Sequence, residues 1–82
     1  MENKLDVAQQ AELDNVFSYH KPFGDQPQRY EAIRAKAKEL ATVILLATPK
    51  CADQSAAIRK LREAVMTANA AIAINEKEGV TA

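Results

Sequence analysis

Apolar residues recur at helical spacing in two long stretches of this 82-residue chain. In residues 28–47 they fall at Tyr30, Ile33, Ala37, Leu40, Ile44 and Ala47, a seven-residue repeat that lines one side of a helix. In residues 54–77 the matching seam is Ile58, Leu61, Val65, Ala68 and Ile72. Pro27 is tolerated just before the first turn of the earlier helix. Thr48-Pro49 closes that helix, because a residue before proline avoids the helical region. Lys50 to Asp53 make the turn, Asp53 or Ser55 caps the second helix, and Gly79 is its natural stop. Each helix spans roughly 30–35 Å at about 1.5 Å per residue. Matched lengths, matched seams and a short turn predict an antiparallel hairpin. Upstream, residues 5–16 (LDVAQQAELDNV) predict a short helix capped by Asp6, with Leu5, Ala8, Leu13 and Val16 on a loose apolar side. Residues 17–27 (FSYHKPFGDQP) are irregular, punctuated by Pro22, Gly24 and Pro27. The expected fold is all-α, one domain over residues 1–82: a short N-terminal helix followed by the hairpin.

A hairpin leaves apolar surface uncovered. From Leu40 to Ala47 the first long helix is apolar on every side except at Thr42. One partner helix covers one stripe, and a helix apolar all round must be buried all round. Ala64, Ala70, Ala71, Ala73 and Ile74 repeat the problem on the second helix. Alanine supplies 16 residues, and only 18 are Val, Ile, Leu or Met, so the core of one chain is thin. Both features predict a homo-oligomer.

Composition narrows the alternatives. The lone Cys51 excludes an internal disulfide, and one Cys with one His does not make a structural zinc site. No metal or cofactor is expected. The opening residues, MENKLDVAQQ, lack an apolar signal segment, and the Leu40–Ala47 run is too short to span a bilayer. No membrane partner is expected, and the default location is a cytoplasm. Net charge is zero but uneven: about −3 over residues 1–16, +5 over 17–62 and −2 over 63–82. A basic middle between acidic ends suits a compact anionic ligand better than duplex DNA. The bland alternative is a set of solvated helix faces, with ordinary surface pairs such as Glu31 with Arg34.

No catalytic set is legible. His20 is the only histidine, with Asp14 or Asp25 available to orient it, and it suits a binding or loop-fixing role better than a general base. Cys51, beside Lys50 in the turn, reads as a small apolar turn residue. The densest chemistry is the loop carrying Phe17, Tyr19, His20, Lys21 and Phe23: rings stack on nucleobases and Lys neutralises phosphate. The competing reading is that Phe17, Tyr19 and Phe23 close the hairpin's open end. Tyr30, Arg34 and Lys38 share a helix face, and Arg29 precedes them. Arg59, Lys60 and Arg62, with the Ser55 hydroxyl, gather near the positive end of the second helix. Asn69, among alanines, is placed to bond a partner helix.

The segments FSYHKPFGDQPQRYEAIRAKAKELA and IRKLREAVMTANAAIAINE carry a resemblance. An F-x-Y-H-x-P loop, an R-Y-x-x-I-R helix start and an E-A-V-M-x-A-N-A-A-I-A second helix follow one another in order. Together they resemble the hairpin domain of phage proteins that antagonise CBASS and Thoeris immunity, the anti-CBASS and Thoeris anti-defence sponges. Thr67 and Ile74 stand where that pattern more often has a bulky aromatic and a second cation. The resemblance implies a protein that binds cyclic oligonucleotides or cyclic ADP-ribose isomers and sequesters them without cleavage. It further implies a helical oligomer, often a hexamer, with pockets between chains, in the cytoplasm of the infected bacterial host. Carried over by position, it points to Phe17, Tyr19, His20 and Lys21 on the loop, and to Arg29, Tyr30 and Arg34 on the helix start. On the second helix it points to Ser55, Arg59 and Lys60 as phosphate contacts. The alternative reading is an alanine-rich assembly module without a small-molecule ligand. A DNA-binding hairpin and an enzyme rank below both.

Overall fold

A computed structural model describes residues 4–78. Among them are three helices and no strand: α1 (Val7–Val16), α2 (Gln26–Ala47) and α3 (Ala52–Asn75).

The first helix begins at Val7, two residues after the predicted start, because Asp6 is its cap, as expected. Asp6 accepts the Gln9 backbone N–H at 2.7 Å, and the Gln9 side chain accepts the Asp6 N–H at 3.1 Å, a reciprocal capping box. At its other end the Phe17 N–H returns to the Leu13 carbonyl, and the Ser18 hydroxyl donates to the Asp14 carbonyl. Little of α1 is covered by the rest of the chain, and Val7 is 88% exposed.

The second helix starts two residues earlier than the periodicity predicts. Gln26 and Pro27 are already helical, because proline's fixed φ suits a first turn and its missing N–H costs nothing there. Gly24, at φ +56°, makes the reversal that delivers the chain to Gln26. At the far end Thr48 is extended, as a residue before proline must be, and its hydroxyl donates to the Ile44 carbonyl at 2.6 Å.

The third helix also starts early. Cys51 occupies the cap position, so neither Asp53 nor Ser55 caps it, and no side chain does. The turn is instead stitched by Gln54, whose amide donates to the Thr48 carbonyl and hydroxyl, both at 3.1 Å. This bridge secures the chain reversal and lets the helix begin at Ala52. Asp53 lies in the first turn, where its charge complements the helix dipole. The helix ends at Asn75, before the expected stop; Gly79 lies outside the described residues.

α2 and α3 pack antiparallel, with Leu45 and Thr48 beside Gln54 at one end and Gln26 beside Glu76 at the other. The α3 seam is as expected: Ile58, Leu61, Val65, Ala68 and Ile72 are all half-buried. On α2 the inner row is Tyr30, Ile33, Ala37, Ala41 and Ile44, while Leu40 and Ala47 are exposed. A 3.6-residue turn drifts away from a strict seven-residue repeat, and here the drift brings Ala41 inward in place of Leu40.

No apolar residue is fully buried among the described residues. The radius of gyration is 17.6 Å, against about 12 Å for a compact chain of this length. Leu40, Val43, Leu45 and Leu46 stay exposed, Leu46 at 83%. The all-round apolar character of this stretch is therefore left unsatisfied by the fold of one chain.

Candidate functional site

One face of the hairpin gathers the cations. Arg34 and Lys38 from α2 and Arg62 from α3 rim an apolar trough of about 370 Å³, floored by Ala37, Ala41, Leu61 and Val65. Arg34 and Met66 continue into a neighbouring hollow of about 410 Å³ with Tyr30, Asn69, Ala70 and Ala73. The two share a wall, so the face reads as one groove running towards the open end of the hairpin. Alanine on both helices makes this possible: with only a methyl at 37, 41, 70 and 73, the floor lies low and the longer side chains stand as walls. The opposite face has a comparable hollow of about 530 Å³ but only one cation, Lys36.

Helical spacing assigns the remaining α3 residues to sides. Arg59 stands one turn before Arg62, and Ser55 one turn before Arg59, so both extend the basic face. Lys60 lies one turn before Ala64, which lines the opposite hollow, and is turned away from Arg62. Ser55 and Ile74 are separated by roughly 28 Å along α3. The Ser55–Arg59 cluster and the aromatic loop thus occupy opposite ends of one chain, and a single copy does not bring them together.

The loop between α1 and α2 is held by polar contacts. His20 places Nε2 2.6 Å from the Asn15 carbonyl, and Asn15 Nδ2 donates to the Ile74 carbonyl at 3.1 Å. Neither Asp14 nor Asp25 orients the imidazole: Asp14 accepts from Gln10, and Asp25 accepts from Arg29. Phe17 and Tyr19 project outward at 81% and 85% exposure, and Lys21 is exposed. These two rings do not close the hairpin end; Phe23 alone of the three is half-buried. His20 and Cys51 sit near opposite ends of the hairpin, so they form no nucleophile–base pair within the chain.

Arg29 is drawn into a second cluster. Its guanidinium grips both oxygens of Glu76 (Nη1 to Oε2, 2.8 Å) and donates from Nε to Asp25 at 3.1 Å. Hydrogen bonding to Arg29, then to Gln26, holds the Glu76 carboxyl at about 2, well below the usual carboxylate range. Glu76 in turn raises the Arg29 guanidinium above its ordinary value. The expected surface pair of Glu31 with Arg34 does not form among the described residues; Lys36 with Glu39, at 3.3 Å, does. Arg34 is left to the groove.

Three polar groove residues were not among the site residues predicted from the sequence: Lys38, Arg62 and Asn69. Helical spacing puts Arg62 and Lys60 on different sides of α3, and the rotation of α3 decided that Arg62's side joins the groove. Asn69 had a signal of its own, a lone amide in an alanine stretch. Its Oδ1 is shielded from solvent and has no hydrogen-bond partner among the described residues, an acceptor left without a donor.

The groove brings together a low apolar floor, a ring, an amide and three cations drawn from two helices of a hairpin. The chain belongs to the Acb2/Tad1 hairpin-domain family of phage anti-defence sponges, whose family model matches residues 9–73. No curated protein and no solved structure matches the chain. Among the described residues, no helix is long and apolar enough to cross a membrane.

Proposed function

We propose that this chain sequesters a cyclic nucleotide second messenger, a cyclic tri- or dinucleotide or a cyclic ADP-ribose isomer, without cleaving it. The observation that carries this reading is the groove. Arg34, Lys38 and Arg62 offer charge to phosphates, and the Tyr30 ring offers a stacking surface. The exposed Phe17 and Tyr19 rings and Lys21 are offered to the same class of ligand, with His20 and Arg29 supporting the loop.

On this reading the pockets are completed between copies. The groove is open along its length, and Ser55 and Arg59 meet the aromatic loop only if a second chain brings them there. The apolar residues left uncovered from Leu40 to Leu46 supply the surface for such an assembly, which we propose is a homo-oligomer, with a hexamer favoured. It would act in the cytoplasm of the infected bacterial host, where the messenger is made.

Calorimetric titration with a panel of cyclic di- and trinucleotides and cyclic ADP-ribose isomers tests the proposal, followed by heat release and identification of the ligand. Tight binding with intact ligand recovered supports it. Cleaved ligand would replace sequestration by catalysis. Absence of binding across the panel would favour the second reading, an assembly module for protein partners, which the same exposed apolar residues support.

A further inference from the structure

The Phe17–Asp25 loop is short of apolar contacts yet is tied to the end of α3 at several points. Before it, Asn15 bonds the Ile74 carbonyl. Within it, the Phe23 N–H donates to Gln26 Oε1 at 3.1 Å, and Gln26 Nε2 donates to Glu76 Oε1 at 3.0 Å. After it, Arg29 binds Glu76 with two nitrogens and Asp25 with a third. Gln26, 2% exposed, is the one fully buried residue among those described, and both ends of its amide are used. Glu76 is the hub: it accepts from Gln26 and from Arg29, and through them it reaches Phe23 and Asp25. The cluster fixes the backbone on both sides of Tyr19 and Lys21 and leaves those side chains facing outward. A two-pronged carboxylate–guanidinium pair is well suited to this, because its planar geometry fixes orientation as well as distance.

We propose that Glu76 is the positioning residue of the aromatic loop, locking the start of α2 to the end of α3 so that Phe17, Tyr19 and Lys21 are presented in one arrangement. The link from that arrangement to ligand binding rests on the sponge reading above; the locking itself does not. No ligand contact is assigned to Glu76.

The test uses the full chain and two readouts. Limited chymotrypsin digestion, followed by mass spectrometry, reports the opening of the loop at Phe17, Tyr19 and Phe23 without any ligand. Glu76→Gln is expected to speed cleavage at those sites about tenfold, the scale of losing one charge-assisted pair from a local opening equilibrium. Cleavage after Tyr30 and Leu46 and the thermal midpoint should change little, which a general loss of stability would not allow. Arg29→Gln should also speed cleavage of the loop, and the double variant should fall short of the sum of the two, because the Arg29–Glu76 pair is lost in both while the Asp25 and Gln26 contacts are not shared. If Glu76→Gln fails to fold, Arg29→Lys, which keeps the charge and loses the two-pronged grip, carries the same expectation. Cleavage of the loop at the parental rate, or additive effects of the two single variants, would overturn the proposal. The second readout is calorimetric affinity for the cyclic nucleotide that the parental chain binds, expected to weaken about tenfold in Glu76→Gln. An opened loop with undiminished affinity would overturn the positioning role. If the parental chain binds none of the panel, the sponge reading fails, and the digestion alone decides whether Glu76 locks the loop.

Discussion

Arg34 and Arg62 stand on different helices and 28 positions apart, yet they rim the same trough. A carboxylate partner would neutralise either one; among the described residues neither has one, whereas Arg29 has two. These two arginines, with Lys38 beside them, are therefore the groove cations expected to meet an anionic ligand. Arg34→Ala and Arg62→Ala should each weaken messenger binding by about tenfold to a hundredfold, the scale of a lost charge-assisted hydrogen bond, while leaving the oligomer intact. Calorimetry paired with light scattering reads both quantities, and normal binding in both variants would remove these residues from the site. Glu76 makes a different prediction. Its folded carboxyl sits at about 2, below its ordinary value, so it favours the closed form of the loop anchor locally, a contribution present above about pH 4.5 and lost as pH falls towards 2. The charged groups around it are Arg29, which stays protonated throughout, and Asp25 beyond it. Amide exchange of Phe23 followed between pH 5 and pH 2.5 should therefore accelerate beyond the intrinsic trend, and Glu76→Gln should abolish that excess.

At the scale of elements, capping chemistry and packing contribute unequally along the chain. α1 has a complete capping box and almost no covered surface, so its helicity depends on local terms. Asp6→Ala should cost about 0.5–2 kcal/mol of local helix stability, seen as faster amide exchange at Gln9 and Gln10 with α2 and α3 unchanged. An equal loss of protection in all three helices would mean that α1 is held by packing after all. α3 shows the opposite balance, with no side-chain cap and a continuous seam against α2. The α2 start at Gln26 joins proline geometry in the first turn to a distant contact with Glu76, whereas the α3 start at Ala52 is secured within the turn itself, by the Gln54 bridge to Thr48.

The whole molecule is one thin layer of helices, 19 Å in its shortest dimension, with its apolar residues at best half-covered. Burial at about 25 cal/mol per Å² drives folding, and a chain that leaves Leu40, Val43, Leu45 and Leu46 in water has not collected much of it. Leu45→Glu should dissociate the proposed assembly, because a carboxylate at a copy–copy contact would be buried unpaired. Sedimentation at a fixed protein concentration is the direct measurement; a fully assembled variant would place the contact elsewhere.

Three helices, the hairpin topology, the Asp6 cap and the apolar excess were legible in the sequence by itself, because each rests on neighbours a few positions apart: periodicity, proline geometry and short-range hydrogen bonds. The motif order carried the family as well. What the tertiary structure alone decided is which side chains share a surface. That depends on how far α2 and α3 are rotated about their axes, and the rotation is set by contacts summed along the whole seam, where Ala41 displaces Leu40 from the inner row. The same rotation puts Arg62 in the groove and turns Lys60 away from it, and it draws Arg29 to a carboxylate 47 positions further along the chain, a pairing that no local spacing announces.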